Sequence, residues 1–395
     1  MAGLIDFCNT DKQRLIIEKL DKMSYAEIAK EVGSSAPTIR GLVARIKKRA
    51  ALQGHSPEHD MTHTVPSTHF VKGTSTLYDE DGNVKAQWVK SSADMDRLKE
   101  FAQEYAKHVC QDFTPLPKRL APTKKGMVDD ELVVYPIGDA HIGLYCWHED
   151  AEEDWDIEIA DKIFAEGFDR LMEASPKTSE AVICNLGDWF HTDTPENVTR
   201  RGKNPLDVDG RWAKVARVGI QIMRRMIDAA LEKHETVTVI NAIGNHDEQT
   251  SQMLNLCLEV AYEKNPRVKI DVSPDGFHWY EFGNNLIGVH HGHKVKPEAL
   301  YKVMAEDKRE QSGRCEHRYW YTGHIHHQKR QDVGGQVIES FRTLIPRDTY
   351  SHSHGYRSKR DICAVTLHRQ HGETLRNSLH IGAIIEQIDK DLTND

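Results

Sequence analysis

Five short apolar runs recur along the chain, and each stops at a fragment of Asp, Asn, His and Gly. The runs are Leu132 to Ile137, Ala181 to Leu186, Val237 to Ile243, Leu286 to Val289 and Tyr319 to Tyr321. They are short apolar runs and read as strands. Between them, Trp155 to Met172 and Trp212 to Leu231 carry apolar residues at helical spacing. Alternating strands and helices predict an α/β fold. In such sheets, sites are built beyond the C-terminal ends of the strands. That is where Asp139-Ala140-His141, Gly187-Asp188-Trp189-Phe190-His191, Gly244-Asn245-His246-Asp247, His291-Gly292-His293 and Gly323-His324-Ile325-His326 fall.

These fragments are rich in metal donors. A divalent ion takes deprotonated carboxylates or neutral imidazoles at about 2.0–2.2 Å. Asp139 and His141 are two residues apart on an emerging strand, so both side chains can face one side. Asp188 has two carboxylate oxygens and can bridge two ions, and Asn245 offers an amide oxygen. His291, His324 and His326 add imidazoles from two further loops. This mixed oxygen and nitrogen set suits two divalent ions, Mn²⁺ first, with Fe or Zn²⁺ as alternatives, better than Ca²⁺. Two ions roughly 3.5–4 Å apart clamp a phosphoryl group and lower the pKa of a shared water.

In this order the five fragments resemble the calcineurin-like metallophosphoesterase superfamily, with its pattern DxH, GDxx(D/H), GNH(D/E), HGH and GHxH. The resemblance runs over roughly residues 131 to 330. It implies a metallophosphoesterase β-sandwich flanked by helices, holding two metals. By that resemblance Asp139, His141 and His326 hold one ion, Asn245, His291 and His324 hold the other, and Asp188 bridges. His246 would stabilise charge or protonate the leaving oxygen, oriented by Asp247. The stretch from Gly187 to His191, followed by Pro195, is most similar to the SbcD-type DNA repair nucleases. That similarity implies that His191 helps to place a nucleic-acid backbone. His290 and His293 flank His291 and compete with it for the ligand register, as His327 does with His326.

The chain also departs from those nucleases. Those nucleases begin with the catalytic domain, whereas here residues 1–130 precede it. After the last fragment, Phe341 to Tyr356 (with Arg342, Arg347 and Tyr350) and Ile362 to Leu367 suggest more sheet and a basic loop. No long helical arm is expected there, so a dedicated ATPase partner is not expected either.

Residues 1–50 read as a small all-α helix-turn-helix domain. Asp11 to Leu20 and Tyr25 to Val32 are helices, the second opened by a Ser24/Glu27 capping box and closed at Gly33. A third helix has Pro37 near its start and an apolar face of Ile39, Leu42, Val43 and Ile46. Arg40, Arg45, Lys47, Lys48 and Arg49 are its candidate contacts to DNA phosphate. The alternative is a protein-interaction module with a solvated basic end. Residues 51–130 read as linker. Within them lie a Ser/Thr/Pro/His stretch with His55, His59 and His63, a hairpin from Leu77 to Trp88 turning at Asp81-Gly82-Asn83, a helix from Asp94 to Val109, and a second Pro-rich stretch. The catalytic domain is expected over 131–395.

Charge and composition then limit the function. Net charge is −9, with 38% hydrophobic and 29% charged residues and 23 histidines. No run approaches the roughly 20 apolar residues of a membrane helix. Seven scattered cysteines without CxxC, and no signal-like start, fit reduced thiols in a cytoplasm. The acidic balance places any nucleic-acid contact on a local basic patch; Arg200, Arg201 and Lys203 are candidates beside the site. The sequence therefore reads as a metal-dependent phosphodiesterase, a DNA nuclease with exonuclease action in scope, recruited through a helix-turn-helix. The rival enzyme is a phosphatase or nucleotide phosphodiesterase with an N-terminal interaction module. The non-enzymatic rival is a regulator whose fold only binds metal.

Overall fold

The computed structural model describes residues 2–56, 61, 65, 69–79, 84–93, 121–151, 153–193, 196–199, 205–355 and 357–394. The chain divides into two compact units, Met1–Glu104 and Tyr105–Asp395. No helix among the described residues is long and apolar enough to cross a membrane.

The first unit holds α1 (Asp11–Lys19), α2 (Tyr25–Glu31) and α3 (Ala36–Leu52). Each starts on a side-chain cap, because a helix leaves its first N–H groups unpaired. Thr10, Ser24 and Ser35 accept from Gln13, Glu27 and Thr38 N–H respectively. Glu27 completes the capping box by accepting from Ser24 N–H at 2.8 Å. Ile16, Ile17, Ile28, Ile39, Val43 and Ile46 form the small core. The hairpin is longer than its sequence signal. β1 (His69–Tyr78) pairs antiparallel with β2 (Val84–Ala93), so the first strand begins inside the stretch read as linker. The 81–83 turn and the 94–109 helix lie outside the described residues.

The second unit is a four-layer sandwich. One sheet runs in the order β13-β12-β3-β4-β5-β6 and the other β10-β11-β9-β8-β7. In the first, β3 (Val128–Ile137), β4 (Thr178–Asn185), β5 (Thr236–Asn241) and β6 (Val268–Asp271) are parallel. β12 (Asp361–His368) and β13 (Gly372–His380) extend it antiparallel. In the second, β8 (Asn285–Val289), β9 (His317–Thr322) and β11 (Gln336–Ser340) are parallel, with β7 (His278–Phe282) and β10 (Lys329–Val333) antiparallel at the edges. Alternate residues point to opposite faces of a strand. Val134, Val182, Cys184 and Ile240 thus pack against Ile287, Val289, Tyr319 and Tyr321 between the sheets. Tyr135, Ile183 and Val239 face outward, under α4 (Ile157–Ala174), α5 (Trp212–Lys233) and α6 (Thr250–Tyr262). On the far side α7 (Pro297–Asp307) lays Leu300 and Met304 over Trp320 and Ile338. The expected α/β sandwich flanked by helices is what forms.

The stretch after the last fragment forms a loop and then more sheet. Phe341 to Gly355 is irregular apart from a short helical turn, Thr349–Ser353, and Ile362 to Leu367 lies within β12. Two strands that the apolar runs do not mark, β10 and β11, come before it. A final helix, α8, spans Ile381–Asn394.

Candidate metal centre

Each sequence fragment leaves the sheet edge at the C-terminal end of a strand. Asp139 and His141 follow β3, Asp188 and His191 follow β4, and Asn245, His246 and Asp247 follow β5. His291 follows β8, and His324 and His326 follow β9. The first two loops are zipped together, His141 N–H donating to Asp188 O at 2.9 Å and Ile142 N–H to Trp189 O at 2.8 Å.

The backbone here is strained. Among the described residues six non-glycine positions have positive φ. Five of them are Asp139 (38°), His141 (40°), Asp188 (52°), His324 (71°) and His326 (53°). Such conformations cost of order 1–3 kcal/mol each and persist where surroundings over-determine them. Close approach adds to this. A Cβ on Gly244 would lie 2.0 Å from Asp188 Oδ1, which explains why only glycine fits before Asn245.

Three groups of ligand atoms result among the described residues, each with its atoms all within 4.8 Å of one another. One is all imidazole, His141, His191 and His246. The other two mix donors: a first, Asp139, His141 and His326, and a second, Asp188, His291 and His324. Asp188 lies between them, its Oδ2 3.1 Å from His291 Nε2 and 3.9 Å from His141 Nε2. Asn245 Oδ1 joins the second group, 3.1 Å from His291 Nε2. His141 Nε2 and His326 Nε2 are 3.3 Å apart, and His326 Nε2 is 3.4 Å from Asp139 Oδ1. Asp139 is held by His324 N–H, which donates to its carboxylate at 2.9 Å. Asp139, Asp188 and His291 are buried, whereas His324 is exposed and Asn245 and His246 partly so, which leaves the centre open on one side.

The donor set fits cations. His291 Nδ1–H donates to Leu186 O at 2.8 Å, so in the neutral ring Nε2 is a lone pair. That lone pair faces an amide oxygen and a carboxylate oxygen, both acceptors. Acceptors gathered so closely need a positive charge among them. Burial pushes the His291 pKa down, but Asp188 outweighs burial and raises it. Burial alone would lift the Asp188 carboxyl, yet His291 holds it well below the usual range. Likewise Asp139 overcomes burial to raise His326. His141 stays neutral, lowered by burial and then by His246.

His246 sits beside the first group, with its ring 4.8 Å from that of His141. Its N–H donates to Asp188 Oδ1 at 2.8 Å. The expected orienting partner is replaced. His246 Nδ1 bonds the His191 carbonyl at 3.0 Å, whereas Asp247 accepts from Phe190 N–H and Gly244 N–H, each at 3.1 Å. Asp247 is fully buried, and burial followed by Asp188 raises its pKa. It braces the loops, and no side chain in the motif announces that a backbone carbonyl aligns His246. The Leu186 carbonyl under His291 is equally silent in sequence.

The flanking histidines sort themselves. His290 accepts from Gly292 N–H at 2.9 Å and stacks on Phe277, turned from the centre. His327 is exposed, its Nδ1 donating to Ile325 O at 2.8 Å. The His293 ring lies 5.2 Å from that of His291. Arg200, Arg201 and Lys203 lie outside the described residues, as do His59 and His63, while His55 stacks on Phe7.

Of the basic residues on α3, Arg40, Arg45 and Lys48 are exposed and Lys47 is half-buried. Arg49 is used internally: it donates to Phe7 O and to Gln13 Oε1. That tie closes the unit on itself and removes Arg49 from the set facing outward.

No family model and no curated protein matches the chain. Solved structures do match. A dimetal phosphatase from Danio rerio is 10% identical over 63% of this chain and 99% of its own, with a TM-score of 0.34. An archaeal phosphodiesterase is 13% identical over 63% and 99%, TM-score 0.31. Vps29 of Entamoeba histolytica, complexed with Zn²⁺, is 13% identical over 63% and 99%, TM-score 0.27. At such scores the likeness carries no functional argument, and the reading of the centre rests on its own geometry.

Proposed function

We propose that the chain is a two-metal phosphodiesterase acting on DNA, brought to its substrate by an N-terminal helix-turn-helix. The observation that carries this reading is the convergence of two adjacent ligand groups on one strand-end rim, linked by Asp188, with His246 alongside. Asp139, His141 and His326 would hold one ion and Asn245, His291 and His324 the other, Mn²⁺ being the first candidate, then Fe or Zn²⁺. Ions held there would supply Lewis-acid charge to a phosphoryl group and would make water a better nucleophile.

The chain's own groups do the rest. Because His246 Nδ1–H donates to a carbonyl, its Nε2 accepts when neutral and donates when protonated. A protonated Nε2 beside the phosphate can give its proton to the departing oxygen, a contribution of about 10²–10⁴. Asp247 fixes the loop that carries it. His191 is buried against His141, so its help in placing a nucleic-acid backbone would be indirect, through the histidines it touches. On α3, Arg40, Arg45 and Lys48 flank Gly41, whose Cβ position is open, so a polyanion can approach the helix closely.

The test is digestion of end-labelled DNA with and without Mn²⁺, beside a small chromogenic phosphodiester. Metal-dependent cutting of DNA supports the reading. Turnover of the small substrate or of nucleotides with no action on DNA would favour the phosphatase alternative.

A further inference from the structure

Two buried histidines meet through nitrogens that cannot both donate or both accept. His141 Nδ1 and His191 Nδ1 are 3.1 Å apart, and the rings stand at 68°. His141's other nitrogen, Nε2, faces His326 Nε2 at 3.3 Å and Asp188 Oδ2 at 3.9 Å. If Nε2 is to offer its lone pair to an ion, the ring's proton must sit on Nδ1. The partner for that proton is His191 Nδ1, which must then accept, so the His191 proton goes to Nε2. His191 is 3% exposed, so water cannot easily substitute. The same residue's backbone carbonyl accepts from His246 Nδ1–H at 3.0 Å and leaves His246 Nε2 for chemistry.

We propose that His191 is a positioning residue that sets the proton placement of two site histidines, His141 through its side chain and His246 through its carbonyl. The inference rests on the two-metal reading. It makes His191 asymmetric between the ions: its side chain supports only the Asp139–His141–His326 group. The second group takes its orientation from Leu186 O instead. Outer partners of ligand histidines are typically worth 10–100-fold in metal affinity. The carbonyl contribution to His246 does not depend on the side chain at all.

The experiment is calorimetric titration of the full chain with Mn²⁺, comparing wild type, His191→Phe and His191→Gln. Phenylalanine keeps the ring volume but cannot accept, whereas the glutamine amide oxygen can. His191→Phe is expected to weaken one of the two ions by about 10–100-fold and spare the other, with His191→Gln recovering most of the loss. In parallel, ¹⁵N spectra of the Zn²⁺-loaded wild type should show His141 as the Nδ1–H tautomer and His191 as Nε2–H. His246 should keep its Nδ1–H in His191→Phe. Two ions bound with wild-type affinity in His191→Phe, or His191 found as Nδ1–H, overturns the proposal while the two-metal reading stands. A wild type that takes up no ion overturns both. Should His191→Phe lack a cooperative unfolding transition, the wild-type tautomers decide alone.

Discussion

Asp188 is the residue on which both ligand groups lean. Its Oδ2 faces His291 and His141, while its Oδ1 accepts from His246 N–H. Asp188→Ala removes a shared anion and the anchor of the His246 loop together. Bound metal per chain, measured after gel filtration, should fall below two and hydrolysis should collapse; two tightly held ions with normal turnover would refute the assignment. His246→Ala is expected to separate chemistry from binding, keeping both ions while turnover drops about 10²–10⁴-fold. Loss of metal in that variant would make His246 a ligand. A histidine far from the centre contributes to acid stability. His234 is buried, its Nε2 2.9 Å from Tyr135 Oη and its Nδ1 2.8 Å from Thr178 Oγ1, and burial lowers its pKa to about 4. The unfolded histidine titrates near 6.5. Stability from this site is therefore whole above about pH 6.5 and is lost as pH falls toward 4, by on the order of 3 kcal/mol. Urea midpoints between pH 7.5 and 4.5 should drop less in His234→Gln; an equal drop would remove His234 as a cause. At this scale the donor side chains were legible, because Asp, Asn and His at fixed spacing advertise themselves. Their alignment was not. His191 O and Leu186 O are main-chain atoms, and Asp247 turned out to grip Phe190 and Gly244 N–H groups, which no motif records.

Among the elements, strands covered on both faces were the easiest to read. β3, β4 and β5 begin within a few residues of their apolar runs, and sheet layers hide them from water on both sides. Edge elements were not legible. β10 reads Lys-Arg-Gln-Asp-Val and faces solvent, so it carries no apolar signal. α6 escaped because its cap is remote: Asp193 accepts from Gln249 N–H at 3.0 Å and from Thr250 N–H at 2.8 Å. The seam between the two sheets was hidden for a similar reason. Glu339 on β11 is 1% exposed and takes a bidentate pair from Arg376 on β13, at 2.9 and 2.8 Å. Arg376 also donates to Glu373 at 2.8 Å. Removing one partner of a buried pair typically costs 3–5 kcal/mol, less where a second cation stays near, as Arg330 does 3.6 Å from Glu339 Oε2, whereas replacing both is often close to neutral. Arg376→Met should therefore lower the urea midpoint strongly, and Glu339→Leu combined with Arg376→Met should recover much of it. If the double variant is as weak as the single, the seam depends on the charges themselves.

At the scale of the molecule, chemistry and recruitment are expected to separate. Every proposed ligand, from Asp139 to His326, belongs to the unit that begins at Tyr105, and that unit has its own three cores and the two large sheets. The three helices belong to the other unit, with Arg40, Arg45 and Lys48 exposed on α3. The sequence marks the hairpin by its turn, from Leu77 to Trp88, and the strands run further, His69–Tyr78 and Val84–Ala93, because a two-stranded ribbon carries little apolar signal. A chain starting at Tyr105 should hydrolyse a small phosphodiester as the full chain does. Its affinity for DNA should be weaker, and the deficit should shrink as salt rises, since contacts to phosphate release counterions. With Arg49 committed to Phe7 O and Gln13, the substitutions Arg45→Glu and Lys48→Glu should reproduce the loss, whereas Arg49→Gln should act first on folding of the small unit. The measurement is DNA affinity at two salt concentrations for the full chain, the shortened chain and these variants. Equal affinities throughout would make the helices a protein-interaction module and raise the standing of a phosphatase acting on other esters.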